Sequence, residues 1–283
     1  MKQYTFGVSQ YTTTPWPFER DLERYPEHGV DAIEVCEFKL NRNDYAPQLE
    51  AIAATGLTVS SVQTTIHSVF VDSLVNSPTA PEDRMRHIMS GIDRIAPHVP
   101  QGTPFVCVTG APPDGDSARV YEYVTGAFAT LADHARKHGM RIAFEALNPV
   151  LYNTDTALWG LDAALELVRT VDHEAFGLCL DSWNVFQTPN LEAVIADAAE
   201  KIFLVQLGDW HRPRSTADRV SLGKGSIDTT RIVRAIRATG YGKPYVVELF
   251  SGESLPGSLW MGDLDATLAE NAAAFATIWE ASS

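Results

Sequence analysis

Gly139-Met-Arg-Ile-Ala-Phe-Glu145 and, thirty residues on, Phe176-Gly-Leu-Cys-Leu-Asp181 are the segments on which the reading of the fold turns. Both runs are mostly apolar and both end on a carboxylate. A glycine placed as a helix C-cap opens the first, and residues 156–171 between them carry helical periodicity. Strand, helix and strand at this spacing make a β/α unit whose strands run parallel and are covered on both faces.

The alternation extends in both directions. Strands are expected at Tyr4 to Ser9, Asp31 to Cys36, Leu57 to Gln63, Pro104 to Thr109, Arg141 to Ala146, Phe176 to Asp181, Lys201 to Leu207 and Tyr245 to Phe250. Helices are expected at Trp16 to His28, Tyr45 to Thr55, Pro81 to Ala96, Ser117 to His138, Thr156 to Val171, Asn190 to Ala199, Asp228 to Thr239 and Asp263 to Ala281. Gly29, Gly56, Gly139 and Gly240 each stand between a helix and the next strand. Eight pairs predict an α/β protein, a single-domain (β/α)₈ TIM barrel over residues 1–283. An open doubly wound sheet is the alternative; the count of eight and the lack of a GxGxxG turn after the first strand favour the barrel. The longest irregular stretch, Gly208 to Ser226, is rich in charged and small residues and reads as a functional loop.

The bulk numbers fit one such domain: 283 residues, 45% hydrophobic and 20% charged. A net charge of −14 argues against nucleic acid as partner, since a polyanion needs a basic surface. Local basic clusters are still compatible with that charge, as in His211-Arg212-Pro213-Arg214. No apolar run approaches membrane-spanning length and no signal sequence opens the chain, so a cytoplasmic protein without a membrane partner is expected, with homo-oligomerisation left open. Cys36, Cys107 and Cys179 lie far apart in apolar runs and read as buried free thiols.

A barrel of this kind carries its chemistry at the C-terminal ends of its strands. Glu145, Asp181, Gln206 and Glu248 all end or follow apolar runs. Three carboxylates converging on one mouth would repel one another, and a divalent cation resolves the conflict. Carboxylate and amide oxygens are hard ligands suited to Mg²⁺ or Mn²⁺, with Co²⁺ or Zn²⁺ also compatible. The plain alternative for each residue alone is a helix cap or an ion pair.

Phe144-Glu145-Ala146-Leu147, Gly177 to Trp183, Ile202 to Asp209, Gly223-Lys-Gly225-Ser-Ile-Asp228 and Val247-Glu248-Leu249-Phe250 together resemble the xylose isomerase-like TIM barrels, the sugar phosphate isomerase/epimerase superfamily. The resemblance implies that Glu145, Asp181, Gln206 and Glu248 bind one metal and that the two glutamates flank the substrate carbon. Gln206 replaces the histidine of many members, a variant similar to hydroxypyruvate isomerases and 3-dehydroshikimate dehydratases. Asn184 stands where those dehydratases and many epimerases have a histidine. Val220 follows Asp218-Arg219 where related abasic-site endonucleases have a histidine ligand, against a multinuclear DNA-repair site.

Further candidates surround this set. His67 ends the third strand region and is placed to contact a substrate oxygen or relay a proton. Arg212 or Arg219 is expected to clamp a hydroxyl or carboxylate, with His211 beside them. Trp183 and Asn184 follow Asp181-Ser182 and join the substrate-binding candidates; Trp16, Phe70, Trp210 and Trp260 are further aromatics in loop positions. Glu37 and Lys39 follow strand two, facing either the pocket or each other in a salt bridge. For each, ordinary packing or a solvated loop is the competing reading.

The expected function is a metal-dependent isomerase or epimerase of a keto sugar or related polyhydroxy ketone, with Glu145 and Glu248 as the catalytic pair. A dehydratase or lyase of a cyclic polyol ketone, 3-dehydroshikimate dehydratase-like or inosose dehydratase-like, is the alternative; a non-catalytic sugar-binding barrel or complex subunit is a third. Beyond Gly223-Lys-Gly225 no glycine-rich phosphate cradle is present in the late loops, which disfavours phosphorylated substrates.

Overall fold

The apolar runs pair side by side in chain order until the last returns to the first. In the computed structural model, which describes residues 2–211 and 218–283, the parallel strands β1 (Phe6–Ser9), β2 (Ala32–Cys36), β3 (Thr58–Gln63), β4 (Pro104–Cys107), β5 (Arg141–Glu145), β6 (Phe176–Asp181), β7 (Ile202–Leu207) and β8 (Tyr245–Val247) form a closed barrel. Closure is made by β1 against β8, with Gly7 opposite Val246. Around it, among the described residues, lie α1 (Phe18–Glu27), α2 (Ala46–Ala54), α3 (Pro81–Ile95), α4 (Ser117–Lys137), α5 (Leu161–Val171), α6 (Ser182–Val185), α7 (Leu191–Asp197), α8 (Thr229–Ala238) and α9 (Leu264–Ala281). None is long and apolar enough to cross a membrane.

The helix α4 shows how the outer layer is built. Asp116 caps it by accepting the backbone N–H of Arg119, and Val120, Val124, Phe128 and Leu131 recur at helical spacing along its buried face. Phe128 meets Phe144 of β5 and Phe176 of β6, each at a centroid distance of 5.1 Å. Burying one such ring contributes about 2–3 kcal/mol. A second, small core fills the barrel's interior, where Val106, Ala143, Cys179, Leu204 and Val246 form the floor beneath the mouth. All three cysteines are free and buried, as expected.

The main departures from the expected boundaries are at helix starts and in an added turn. The helix expected from Thr156 begins only at Leu161, because Gly160 at φ +85° breaks the backbone before it. The first helix starts after Pro17. The short α6 follows Asp181 directly, its carboxylate accepting the Trp183 N–H as an N-cap.

One glycine is dictated by crowding. A Cβ at Gly177 would lie 2.5 Å from the Lys201 carbonyl oxygen and 2.6 Å from the Phe203 ring. Gly177→Ala is therefore expected to lower stability by about 1–3 kcal/mol through overpacking. Chemical denaturation checks this, and an unchanged midpoint would refute the close approach.

Candidate metal centre

Strand alternation sets each candidate residue two positions beyond a floor residue of its own strand. Glu145 pairs opposite Cys179, Asp181 opposite Gln206, and Gln206 opposite Val246. Side chains two residues apart on a strand share a face. Glu145, Asp181, Gln206 and Glu248 therefore stand one layer above the floor of Ala143, Cys179, Leu204 and Val246. All four are buried.

Glu145, Asp181 and Glu248 bring one carboxylate oxygen each to within 4.8 Å of one another. Between them sits a cation of the chain itself. Arg219 Nη1 lies 2.8 Å from Asp181 Oδ2 and 2.9 Å from Glu248 Oε2, and donates to the Glu248 backbone oxygen at 3.0 Å. Its guanidinium is held 4.8 Å from the Trp183 ring and 5.4 Å from the Phe250 ring. Asn184 Nδ2 donates to Glu145 Oε1 at 2.6 Å and to Asp181 Oδ2 at 2.9 Å.

One guanidinium and one amide do not fully balance this much negative charge. Burial, reinforced by the charges of Glu248 and Asp181, raises the Glu145 carboxyl well above its usual range. Burial likewise pushes Glu248 up to about 8, although Arg219 opposes the shift. Asp181 is raised by burial against the same opposing guanidinium. Three carboxyls that resist ionisation without further positive charge, offering hard oxygens at this spacing, fit a divalent cation.

Gln206 is placed differently from the other three. Its Nε2 donates to both oxygens of Glu34, at 2.9 and 3.1 Å, and to Glu248 Oε1 at 3.1 Å, while its Oε1 accepts the Cys179 thiol at 2.8 Å. Between two carboxylates the amide NH₂ is the attractive end, so the oxygen faces the floor. In this arrangement the Gln206 amide braces Glu34 and Glu248. Gln206→Ala is then expected to weaken a bound divalent ion about 10–100-fold without abolishing it, as for other residues that orient ligands. Isothermal titration with Mn²⁺ measures this; complete loss of binding would make Gln206 an indispensable ligand.

Above this layer lies a cavity of about 110 Å³, lined by Glu145 and Glu248 together with Gln63, His67, Trp183, Arg219 and Phe250. His67 is buried, its Nδ1 3.2 Å from the Thr64 carbonyl oxygen. Trp183 has its Nε1 buried without a hydrogen-bond partner among the described residues, a spare donor on a cavity-lining side chain.

The remaining candidates stand at the cavity wall or away from it. Asn184 is not among the cavity-lining residues; its amide is spent on Glu145 and Asp181, so it braces the carboxylates. Arg219, expected as a substrate clamp, touches the acidic centre and also lines the cavity. His211 does not line the cavity, and its Nδ1 is buried without a partner among the described residues. Arg212 lies outside the described residues. Lys39 pairs with buried Asp21 at 2.7 Å, and Glu37 is held by Arg94 and Tyr45, so neither faces the pocket nor pairs with the other. Trp16, Phe70, Trp210 and Trp260 do not line the cavity either.

Two residues of the site escaped the sequence reading. Glu34, fully buried in β2, bonds Ser61, Gln63 and Gln206. Gln63 Nε2 bridges Glu34 and Glu248, at 2.9 and 2.5 Å. Gln63 ends a strand as the other candidates do and was legible on that rule. Glu34 sits in mid-strand, where the only signal is a carboxylate interrupting Ala32-Ile-Glu-Val-Cys36.

The closed eight-stranded barrel with an acidic, carboxylate-bearing mouth defines an α/β barrel with a candidate metal centre. Residues 22–276 match the model of the xylose isomerase-like TIM barrel family, and the chain belongs to that family. Among curated relatives, a 3-dehydroshikimate dehydratase of Pseudomonas putida KT2440 is 34% identical over 133 residues, 43% of this chain and 19% of that protein. An inosose isomerase of Bacillus subtilis strain 168 is 30% identical over 128 residues, 44% of this chain and 45% of that protein. The matched segments thus span less than half the length of these relatives. Among solved structures, a protein of Sinorhizobium meliloti 1021 superposes with a TM-score of 0.84 at 22% identity, covering 98% of each chain. The IolI protein with a bound zinc atom superposes with a TM-score of 0.75 at 18% identity, covering 97% of each. At these identities the structural likeness establishes the fold.

Proposed function

We propose that this chain is a divalent-metal-dependent isomerase or epimerase acting on a keto sugar or a related small polyhydroxy ketone. The observation that carries the reading is the convergence of Glu145, Asp181 and Glu248 at the barrel mouth, with both glutamates lining the cavity. An ion held by these three carboxylates would polarise a carbonyl and stabilise negative charge developing on its oxygen. One glutamate then removes the proton from the carbon next to that carbonyl, and the other returns a proton at the neighbouring carbon or on the opposite face. Trp183 and Phe250 present flat apolar surface to the substrate, His67 and the Trp183 N–H offer polar contacts, and the buried mouth keeps bulk water away.

The similarity to 3-dehydroshikimate dehydratases favours a second reading, a dehydratase or lyase of a cyclic polyol ketone. Elimination needs an acid aimed at the departing oxygen, and Asn184, committed to Glu145 and Asp181, cannot supply the proton. His67, like Asp72 and Asp155, is a further titratable side chain on the cavity wall, and its imidazole is the one we assign to that task. Incubating metal-loaded protein with ketoses and cyclic ketones in D₂O separates the two. Deuterium on carbon in a product of unchanged formula supports proton return; loss of water with an enone absorbance supports elimination, and no turnover or exchange on any member counts against both.

A further inference from the structure

At the opposite end of the barrel, two helices bring imidazoles and a carboxylate to one point. Asp93 lies in the last turn of α3, and His134 and His138 lie in the last turn of α4 and just beyond it. Four residues apart, the two histidines share one face of the helix. His134 Nε2 lies 2.7 Å and His138 Nε2 2.9 Å from the same atom, Asp93 Oδ1, with the two rings 5.1 Å apart. One ligand atom from each of the three residues falls within 4.8 Å of the others.

We propose that Asp93, His134 and His138 form a second metal site, selective for Zn²⁺ and similar borderline ions, that clips α3 to α4. Two imidazoles and one carboxylate are a donor set typical of zinc with positions left open, and imidazole favours Zn²⁺, Cu²⁺ or Ni²⁺ over Mg²⁺. The barrel mouth, with its oxygen donors, has the opposite preference.

The helix ends supply the second reason. In this fold α3 and α4 both run back toward the N-terminal ends of the strands, so their C-terminal carbonyls, with their partial negative charge, meet near the cluster. A lone carboxylate is electrostatically misplaced at a helix C-terminus, whereas a cation is favoured there. In the metal-free arrangement each histidine is placed to donate its Nε2 proton to Asp93; an ion takes the Nε2 lone pair of each neutral ring, whose one proton then sits on Nδ1. The side chains are 49%, 23% and 34% exposed for Asp93, His134 and His138, so an ion enters without opening the fold and water completes its shell. Binding to the native state alone stabilises it by mass action.

The test uses the full chain freed of metal with chelator, carrying Glu145→Ala and Asp181→Ala so that the mouth does not contribute. Zn²⁺ is expected to bind at one equivalent and raise the melting temperature, and Mg²⁺ to do neither. Cu²⁺ at one equivalent should give an electron paramagnetic resonance spectrum coupled to two imidazole nitrogens. Adding His134→Ala and His138→Ala should remove the equivalent, the thermal shift and the nitrogen coupling. Asp93→Asn, which keeps both imidazoles, should retain the coupling while weakening Zn²⁺ at least tenfold. The same stoichiometry and spectrum with both histidines gone, or no preference for Zn²⁺ over Mg²⁺, would overturn the assignment.

Discussion

Alanine at Glu145 or at Asp181 is expected to abolish stoichiometric binding of a divalent ion at the barrel mouth and to remove turnover with it. Each variant leaves two of the three converging carboxylates, and each also strips a partner from Asn184 Nδ2, so the remaining ligands lose both charge and orientation. Glu248→Gln separates binding from proton transfer: the amide still offers an oxygen but takes up no proton, and turnover should fall by about 10²–10⁴-fold, the usual contribution of a positioned base. The raised carboxyls add a pH signature. With Glu248 near 8 in the metal-free protein, the site holds protons at neutral pH that an ion must displace. Apparent affinity should therefore rise with pH toward about 8, with protons released on binding. Metal analysis after gel filtration and titration in two buffers of different ionisation heat measure both; full retention of metal by both alanine variants would dismantle the centre.

The second large effect is expected at Arg219. Its guanidinium is buried against Asp181 and Glu248, and Arg219→Ala leaves those carboxylates without their cation. Removing one partner of a buried ionic group typically costs about 3–5 kcal/mol. The distinctive expectation is that metal repairs the loss. An ion at the three carboxylates restores the missing positive charge, so the melting temperature of the variant should rise with Mn²⁺ by more than that of the unaltered chain. If metal shifts the two proteins equally, Arg219 is not the counter-ion of the same site. Turnover by the metal-loaded variant then reports whether the guanidinium also touches substrate, since it lines the cavity as well.

The barrel and the three converging carboxylates were legible in the chain itself because their signals are local. An apolar run such as Phe176 to Asp181 can be covered on both faces only as a buried parallel strand, and a carboxylate at its end has few ways to be tolerated. Eight such runs alternating with helices favour a closed barrel over an open doubly wound sheet. What only the tertiary structure decided are contacts between residues that no periodicity links. Gln63 reaches Glu248 across 185 positions because barrel closure turns β3 and β8 toward one shared interior, and Glu34 enters the site from mid-strand by the same closure. The direction of the Gln206 amide depends on which charges surround it, and the Arg219 guanidinium chooses the carboxylates over the loop because Trp183 and Phe250 hold it there. Asp93 meets His134 and His138 for the same kind of reason: side-chain chemistry is written residue by residue, but its partners are set when neighbouring helices pack, and packing is a property of the whole barrel.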